Sequence, residues 1–203
     1  MKSVGVLALQ GAFVEHENML ARLGVDSFEI RQREDLDSAI REHRLDGIVI
    51  PGGESTVIGK LLRELDLYDP LQSALQNGLP ALGTCAGLIM LAKKVVSDRV
   101  STADVLATGG EAEYFGVLDV EVKRNAFGRQ LGSFATRSDF AGTDIPMVFI
   151  RAPFVAQCGP DVEVLARVDG KVVAVRQNNI LATAFHPELT GDLTVHTAFV
   201  GMG

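Results

Sequence analysis

The sequence predicts an α/β fold: a mostly parallel central sheet with helices on both faces and an antiparallel β extension. Three observations carry this. Continuous apolar runs at residues 4–9 and 47–50 are the mark of strands covered on both faces. Helical periodicity alternates with such runs through about residue 94, the pattern of a parallel sheet. From Gly116 onward the pattern changes to short β runs with turn signals at Asp169-Gly170 and Asn178-Asn179.

Taken in order, residues 4–9 form the first strand and Gln10-Gly11-Ala12 turns out of it. Residues 13–23 carry apolar side chains at helical spacing (Phe13, Met19, Leu20, Leu23), and Gly24 is a helix stop. Residues 27–30 read as a second strand, 35–44 as a short polar helix and 47–50 as a third strand. Helical pieces follow at 57–65 and 71–76. A further strand then ends in Gly83, with a helical apolar stretch from Gly87. Residues 95–114 are polar and weakly periodic and read as a long loop. Short strands are expected at 117–122, 132–136, 147–150, 162–168, 172–176 and 180–185, and a closing helix at 193–200. With no repeat, low-complexity segment or linker, the reading is one domain over residues 1–203.

Composition narrows the function classes. Hydrophobic residues make up 47% and charged residues 22%, ordinary values for a globular protein, and no apolar run approaches the ~20 residues that span a bilayer. The net charge of −7, without a long basic cluster, argues against nucleic acid or an anionic membrane as the main partner. The amino-terminal segment has no signal-peptide pattern, and two cysteines, Cys85 and Cys158, make no disulfide framework; a reducing cytoplasm is the expected compartment. Cys158 is expected to be a buried structural cysteine.

The stretch Gly83-Thr84-Cys85-Ala86-Gly87 has the spacing of a nucleophile elbow, a strand that turns sharply into a helix with the nucleophile at the bend. Small residues two positions either side make room for the strained turn. Cys85 would stand at a helix N-terminus, whose positive dipole end favours thiolate, and the Ala86 N–H would face an oxyanion formed next to the sulfur. Taken alone, the stretch fits equally a buried structural cysteine in a βα turn.

A nucleophilic thiol needs a base, and the base needs an orienting group. Of four histidines, His16 and His43 lie in helical stretches with polar neighbours, where surface or cap positions are expected, and His196 lies in the last helix. His186 ends the apolar run 180–185, at the sheet edge where sites of open α/β folds gather. Glu188 is two residues on, and Pro187 favours an extended segment that puts both side chains on one side. The bland alternative is a strand-end histidine beside a solvated glutamate. Pro51-Gly52-Gly53-Glu54-Ser55-Thr56 also follows a strand and opens a helix, which Ser55 or Thr56 can cap. It lacks phosphate-loop spacing, so the choice lies between a plain βα turn and a second oxyanion donor from the Gly53 N–H.

Together these three pieces resemble the triad-type (class I) glutamine amidotransferases, whose fold is flavodoxin-like. Further blocks narrow the resemblance to the family of glutaminase subunits of pyridoxal 5′-phosphate synthase. They are Leu9-Gln10-Gly11-Ala12, Glu15-His16, Arg124-Asn125-Ala126-Phe127-Gly128-Arg129-Gln130, Phe149-Ile150-Arg151-Ala152-Pro153 and His186-Pro187-Glu188-Leu189-Thr190. The loop at 97–114 looks longer than is usual for that family.

The resemblance implies hydrolysis of L-glutamine to L-glutamate and ammonia, with Cys85 as nucleophile, His186 as base and Glu188 as its orienter. It also implies an oxyanion hole from Gly53 and Ala86, and glutamine recognition by Gly52, Gly53, Glu54, Arg124, Ile150 and Arg151. An ordinary surface ion pair is the alternative role for each arginine. No cofactor and no metal are implied. The implied partner is the barrel-shaped synthase subunit, as a dodecamer with up to one glutaminase on each synthase subunit. Residues 4–12 and the following helix are the candidate interface, and Gln10 is where docking would be felt. Three rivals remain: a class I amidotransferase serving another acceptor enzyme, a free-standing γ-glutamyl cysteine hydrolase, and a non-catalytic binding subunit.

Overall fold

A computed structural model describes residues 2–42, 44–96, 114–124 and 132–202. The first half is built of β1 (Ser3–Leu7), α1 (Phe13–Arg22), β2 (Asp26–Ile30), α2 (Arg33–Arg41), β3 (Gly47–Ile50), α3 (Ser55–Glu64), α4 (Tyr68–Gln76), β4 (Ala81–Thr84) and α5 (Ala86–Leu91). The second half adds β5 (Ala92–Val96), β6 (Leu118–Lys123), β7 (Ser133–Phe140), β8 (Thr143–Ile150), β9 (Phe154–Cys158), β10 (Glu163–Val168), β11 (Lys171–Gln177), β12 (Ile180–Thr183), a 3₁₀ turn at Pro187–Leu189 and α6 (Thr194–Val200).

One sheet joins the halves, in the order β2-β1-β3-β4-β12-β11-β10-β7-β8. The strands from β2 to β12 run parallel, and those from β12 to β8 run antiparallel. The parallel half has the flavodoxin-like order, in which the chain leaves β1 towards β2 on one side and then crosses back to β3 on the other. The crossover from β1 to β2 moves one way along the sheet and that from β3 to β4 moves the other. Right-handed connection therefore sets α1 on one face and α3 and α4 on the opposite face. β3, β4 and β12 are buried at every position, because helices cover both of their sides.

The antiparallel half follows turn chemistry. Asp169 and Gly170 both have positive φ (50° and 75°), as a two-residue primed turn between β10 and β11 requires. Ala141 and Gly142 do the same between β7 and β8, so the strands expected at 132–136 and 147–150 are one longer hairpin.

Two strands were not expected from the sequence. Residues 92–96, taken partly as loop, form β5, which pairs parallel with β6 and carries the Lys93–Asp119 and Lys94–Glu121 ion pairs. β9 bridges β6 and β11, with Val155 its buried residue. Most of the expected 95–114 loop lies outside the described residues, as does His43.

Close backbone approach sets the geometry around Cys85. A Cβ on Gly87 would drive into the Ile50 carbonyl oxygen, and one on Gly83 would lie 2.8 Å from the Gly87 backbone. The bend after β4 thus sits within touching distance of β3. Gly87→Ala is expected to lower the unfolding free energy by about 1–3 kcal/mol through overpacking, measured by urea unfolding.

Candidate active site

Four loops meet at the carboxyl edge of the parallel strands, following β1, β3, β4 and β12. Cys85 takes φ 49° and ψ −100°, a conformation that a non-glycine residue holds only under constraint from its surroundings. The constraint is visible: the Cys85 N–H donates to the Thr183 carbonyl at 2.8 Å, and the next residue already begins α5. Ala86, as the first residue of α5, has an N–H with no acceptor inside the helix. Cys85 is 7% exposed, and its Sγ lies 3.9 Å from the Ile150 carbonyl oxygen, on the last residue of β8.

His186 and Glu188 arrive from the end of β12. The His186 N–H donates to the Val148 carbonyl at 2.8 Å, which fixes the segment against β8. His186 Nδ1 and Glu188 Oε1 are 2.7 Å apart, and the ring shares the space over Gly52 with Cys85. The segment is not extended throughout, since Pro187–Leu189 makes a 3₁₀ turn; the turn still brings Glu188 beneath the imidazole. Burial on its own would lower the His186 pKa, but the hydrogen bonds to Cys85 and Glu188 outweigh it and push it up to about 10. Burial raises the Glu188 carboxyl, and the facing imidazoles of His16 and His186 more than reverse this, holding it below the usual range.

The β3 loop closes the site from the other side. A Cβ on Gly52 would collide with the His186 ring and lie 3.3 Å from Cys85 Cβ, so only glycine fits there. Gly53 has a φ of 158°, and the N–H of Glu54 donates to Gln10 Oε1 at 2.9 Å, which ties the loops after β1 and β3 together. Glu54 Oε1 receives a bond from Arg124 Nη2 at 2.9 Å. Burial pushes up the phenol of Tyr114, and the nearby Arg124 guanidinium pulls the other way. Arg151 has a φ of 44°, and its N–H donates to the Gly132 carbonyl at 2.6 Å. Ile150 thus borders the sulfur through its carbonyl, with Arg151 next in the chain, while Arg124 and Glu54 form an ion pair.

Three expectations need correction. His16 is neither on the surface nor at a cap: it is fully buried beside Glu188, because it shares the inward stripe of α1 with Met19 and Leu20. Neither Ser55 nor Thr56 caps α3; Glu54 holds the cap position, and Thr56 Oγ1 donates to the Glu54 carboxylate at 3.1 Å. Cys158 is exposed at the end of β9, whose last three residues are all exposed to solvent.

Groups that sequence reasoning passed over complete the site. Thr84, His16 and His196 form a buried polar cluster beneath Glu188, and Tyr114 lies near Arg124. The spacing from Phe13 to His16 to Leu20 on one helical face was the available signal for His16.

The histidines set an acid limit on folding. Burial holds His16 below its ordinary value and takes His196 down to about 3. The unfolded chain therefore binds protons that the native state refuses. The corresponding stability is complete above pH 6.5 and is lost as pH falls from there towards 3. His186 works in the opposite direction: its contribution is complete below 6.5 and is lost as pH rises through about 10. Urea unfolding free energy is expected to fall below pH 6.5 by about 1.4 kcal/mol per pH unit for each refused proton, with one proton fewer in the slope of His196→Phe.

Comparison with known proteins covers nearly the whole chain. Residues 6–202 match the model of the SNO glutamine amidotransferase family. The chain is 47% identical over 198 residues to pyridoxal 5′-phosphate synthase subunit PdxT of Haemophilus influenzae (strain PittEE), covering 97% of this chain and 96% of that protein. It is 48% identical to the PdxT subunit of Desulfitobacterium hafniense (strain DSM 10664 / DCB-2), covering 97% of this chain and 91% of that protein. A crystal structure of a glutamine amidotransferase superposes with a TM-score of 0.84 at 44% identity, covering 98% of this chain and 97% of that one.

Proposed function

Because the chain belongs to the SNO glutamine amidotransferase family, we propose that its Cys85, His186 and Glu188 split the side-chain amide of L-glutamine. The chain is the glutaminase subunit of a pyridoxal 5′-phosphate synthase, and this reading rests on the high-coverage likeness to PdxT subunits. The observation that carries the chemistry is the imidazole of His186, bonded at Nδ1 to Glu188 at 2.7 Å and set, with Cys85 on its strained bend, against the same bare Gly52.

The reaction follows from those contacts. Glu188 holds the Nδ1–H of His186, leaving Nε2 to take the proton from Cys85. The sulfur attacks the carboxamide carbon of glutamine. The oxyanion is met by the N–H groups of Ala86 and Gly53, each typically worth ~3 kcal/mol to the transition state. His186 hands its proton to the leaving nitrogen, the C–N bond breaks, and ammonia departs from a glutamyl thioester. Water then attacks the thioester, its proton passing through His186 to the sulfur, and glutamate leaves.

A free amino acid presents a carboxylate and an ammonium, and Arg124 with Glu54 offers one complementary group to each. Gly52, Gly53, Ile150 and Arg151 complete the proposed glutamine site, Gly52 beside Cys85 and the Ile150 carbonyl 3.9 Å from its sulfur.

Ammonia must reach its acceptor before it is protonated, which calls for a docked partner. The synthase subunit is that partner, in a dodecamer with up to one glutaminase on each synthase subunit, in the cytoplasm. Among the described residues no helix is long and apolar enough to cross a membrane. Gln10, in the loop that leads into α1, accepts the Glu54 N–H, so docking there would be felt at the residue next to Gly53.

Glutaminase activity is expected to rise when the synthase subunit is added and to disappear in Cys85→Ala, measured as glutamate release with and without the partner. Retained turnover in Cys85→Ala would overturn the nucleophile. An activity that ignores the synthase subunit would favour a free-standing hydrolase. Arg124→Ala is expected to raise KM for glutamine about 10- to 100-fold, the value of one charge-assisted contact, with a smaller effect on kcat.

A further inference from the structure

Behind Cys85, His186 and Glu188 the protein buries two imidazoles that the reaction does not use. His16 on α1 and His196 on α6 have no exposed surface. His16 Nδ1 lies 2.9 Å from His196 Nε2, and His16 Nε2 lies 3.3 Å from Thr84 Oγ1 and 3.5 Å from Glu188 Oε2. Glu188 Oε1 meanwhile faces His186 Nδ1 at 2.7 Å. One carboxylate therefore lies between two imidazoles: Oε1 is hydrogen-bonded to His186, while Oε2, which has no hydrogen-bond partner among the described residues, faces His16 Nε2 at 3.5 Å.

Counting protons assigns the tautomers. A neutral imidazole carries a single N–H. If His196 carries it on Nε2, it donates to His16 Nδ1, and His16 must carry its own on Nε2, facing Thr84 and Glu188. His196 Nδ1 is buried and has no hydrogen-bond partner, so this arrangement leaves only a lone pair there. The reverse arrangement would strand an N–H in that position and turn the lone pair of His16 Nε2 towards a carboxylate. Orphaned buried donors are rare, and a lone pair against an anion is repulsive.

We infer that His16 is a positioning residue for amide hydrolysis: its Nε2–H steadies Glu188 from the side away from His186, and His196 locks His16 in the tautomer that can do so. This rests on the reading of Cys85, His186 and Glu188 given above. The charged and titratable groups facing the pair are Glu188 and His186 from the segment after β12, Glu15 on α1, and Arg22, which faces His196. Burial outweighs the pull of Glu188, so both imidazoles remain neutral. Neutrality matters, because a neutral donor aims the carboxylate without cancelling the charge on which the His186 imidazolium depends.

The test compares His16→Leu, His16→Gln and Cys85→Ala in the full chain with the synthase subunit present. It records kcat, KM and the pH profile of glutaminase activity, with circular dichroism as a check on folding. His16→Leu is expected to lose about 10- to 100-fold in kcat with KM little changed, the range seen when a group supporting a catalytic ligand is removed. Its His186 limb should move to lower pH, since the Glu188 bond is part of what raises that group. His16→Gln, whose amide nitrogen reaches the position of Nε2, should restore most of the loss. A folded His16→Leu with wild-type kcat and pH profile, beside an inactive Cys85→Ala, would overturn this inference alone; an active Cys85→Ala would instead overturn the reading beneath it. If His16→Leu does not fold, nitrogen NMR of histidine-labelled wild type decides: a neutral Nε2–H at His16 at pH 7 supports the assignment, and an Nδ1–H or an imidazolium overturns it.

Discussion

Everything at the site depends on one bend. Cys85 sits at positive φ between a strand and a helix, and that conformation exists because three backbones press against it from β3, β4 and α5. Gly87 meets the Ile50 carbonyl, Gly83 meets Gly87, and Gly52 lies under both the sulfur-bearing carbon and the His186 ring. At Gly83 and Gly87 a missing side chain lets two main chains touch, and at Gly52 it makes room for the side chains of Cys85 and His186. The strain at Cys85 is thus held in place by packing around it, and the thiol is presented at the sheet edge instead of being folded into the core.

Much of this was legible in the sequence, for identifiable reasons. Strands buried on both faces leave unbroken apolar runs, so β1, β3, β4 and β12 stood out, and glycine spacing marked the elbow. His186 was legible because it ends such a run. The antiparallel half was less clear. β5 follows α5 with no turn residue between Leu91 and Ala92, so nothing local separates helix from strand. β9 buries essentially one residue, Val155, and its identity as a strand comes from pairing with β6 and β11, which are distant in sequence. Hairpin lengths were underestimated because β7 alternates polar and half-buried residues and presents little apolar signal.

His16 was missed by a different route. Polar neighbours suggested a surface position, while helical periodicity placed it on the buried stripe with Met19 and Leu20; the periodicity was the better guide. A histidine on a buried stripe must find polar partners, and those partners, Thr84, Glu188 and His196, come from three other segments. No single stretch of sequence announces such a cluster. It emerges only when β4, the turn after β12 and α6 are assembled around α1.

The tight fit of Gly52 beneath His186 has one more effect. With Cys85 only 7% exposed and Gly52 bare beside it, the space next to the sulfur is walled by main chain. A single methyl group at residue 52 would fill that space from inside the protein, so the vacancy that any attack at the sulfur requires is written into the sequence as one missing side chain.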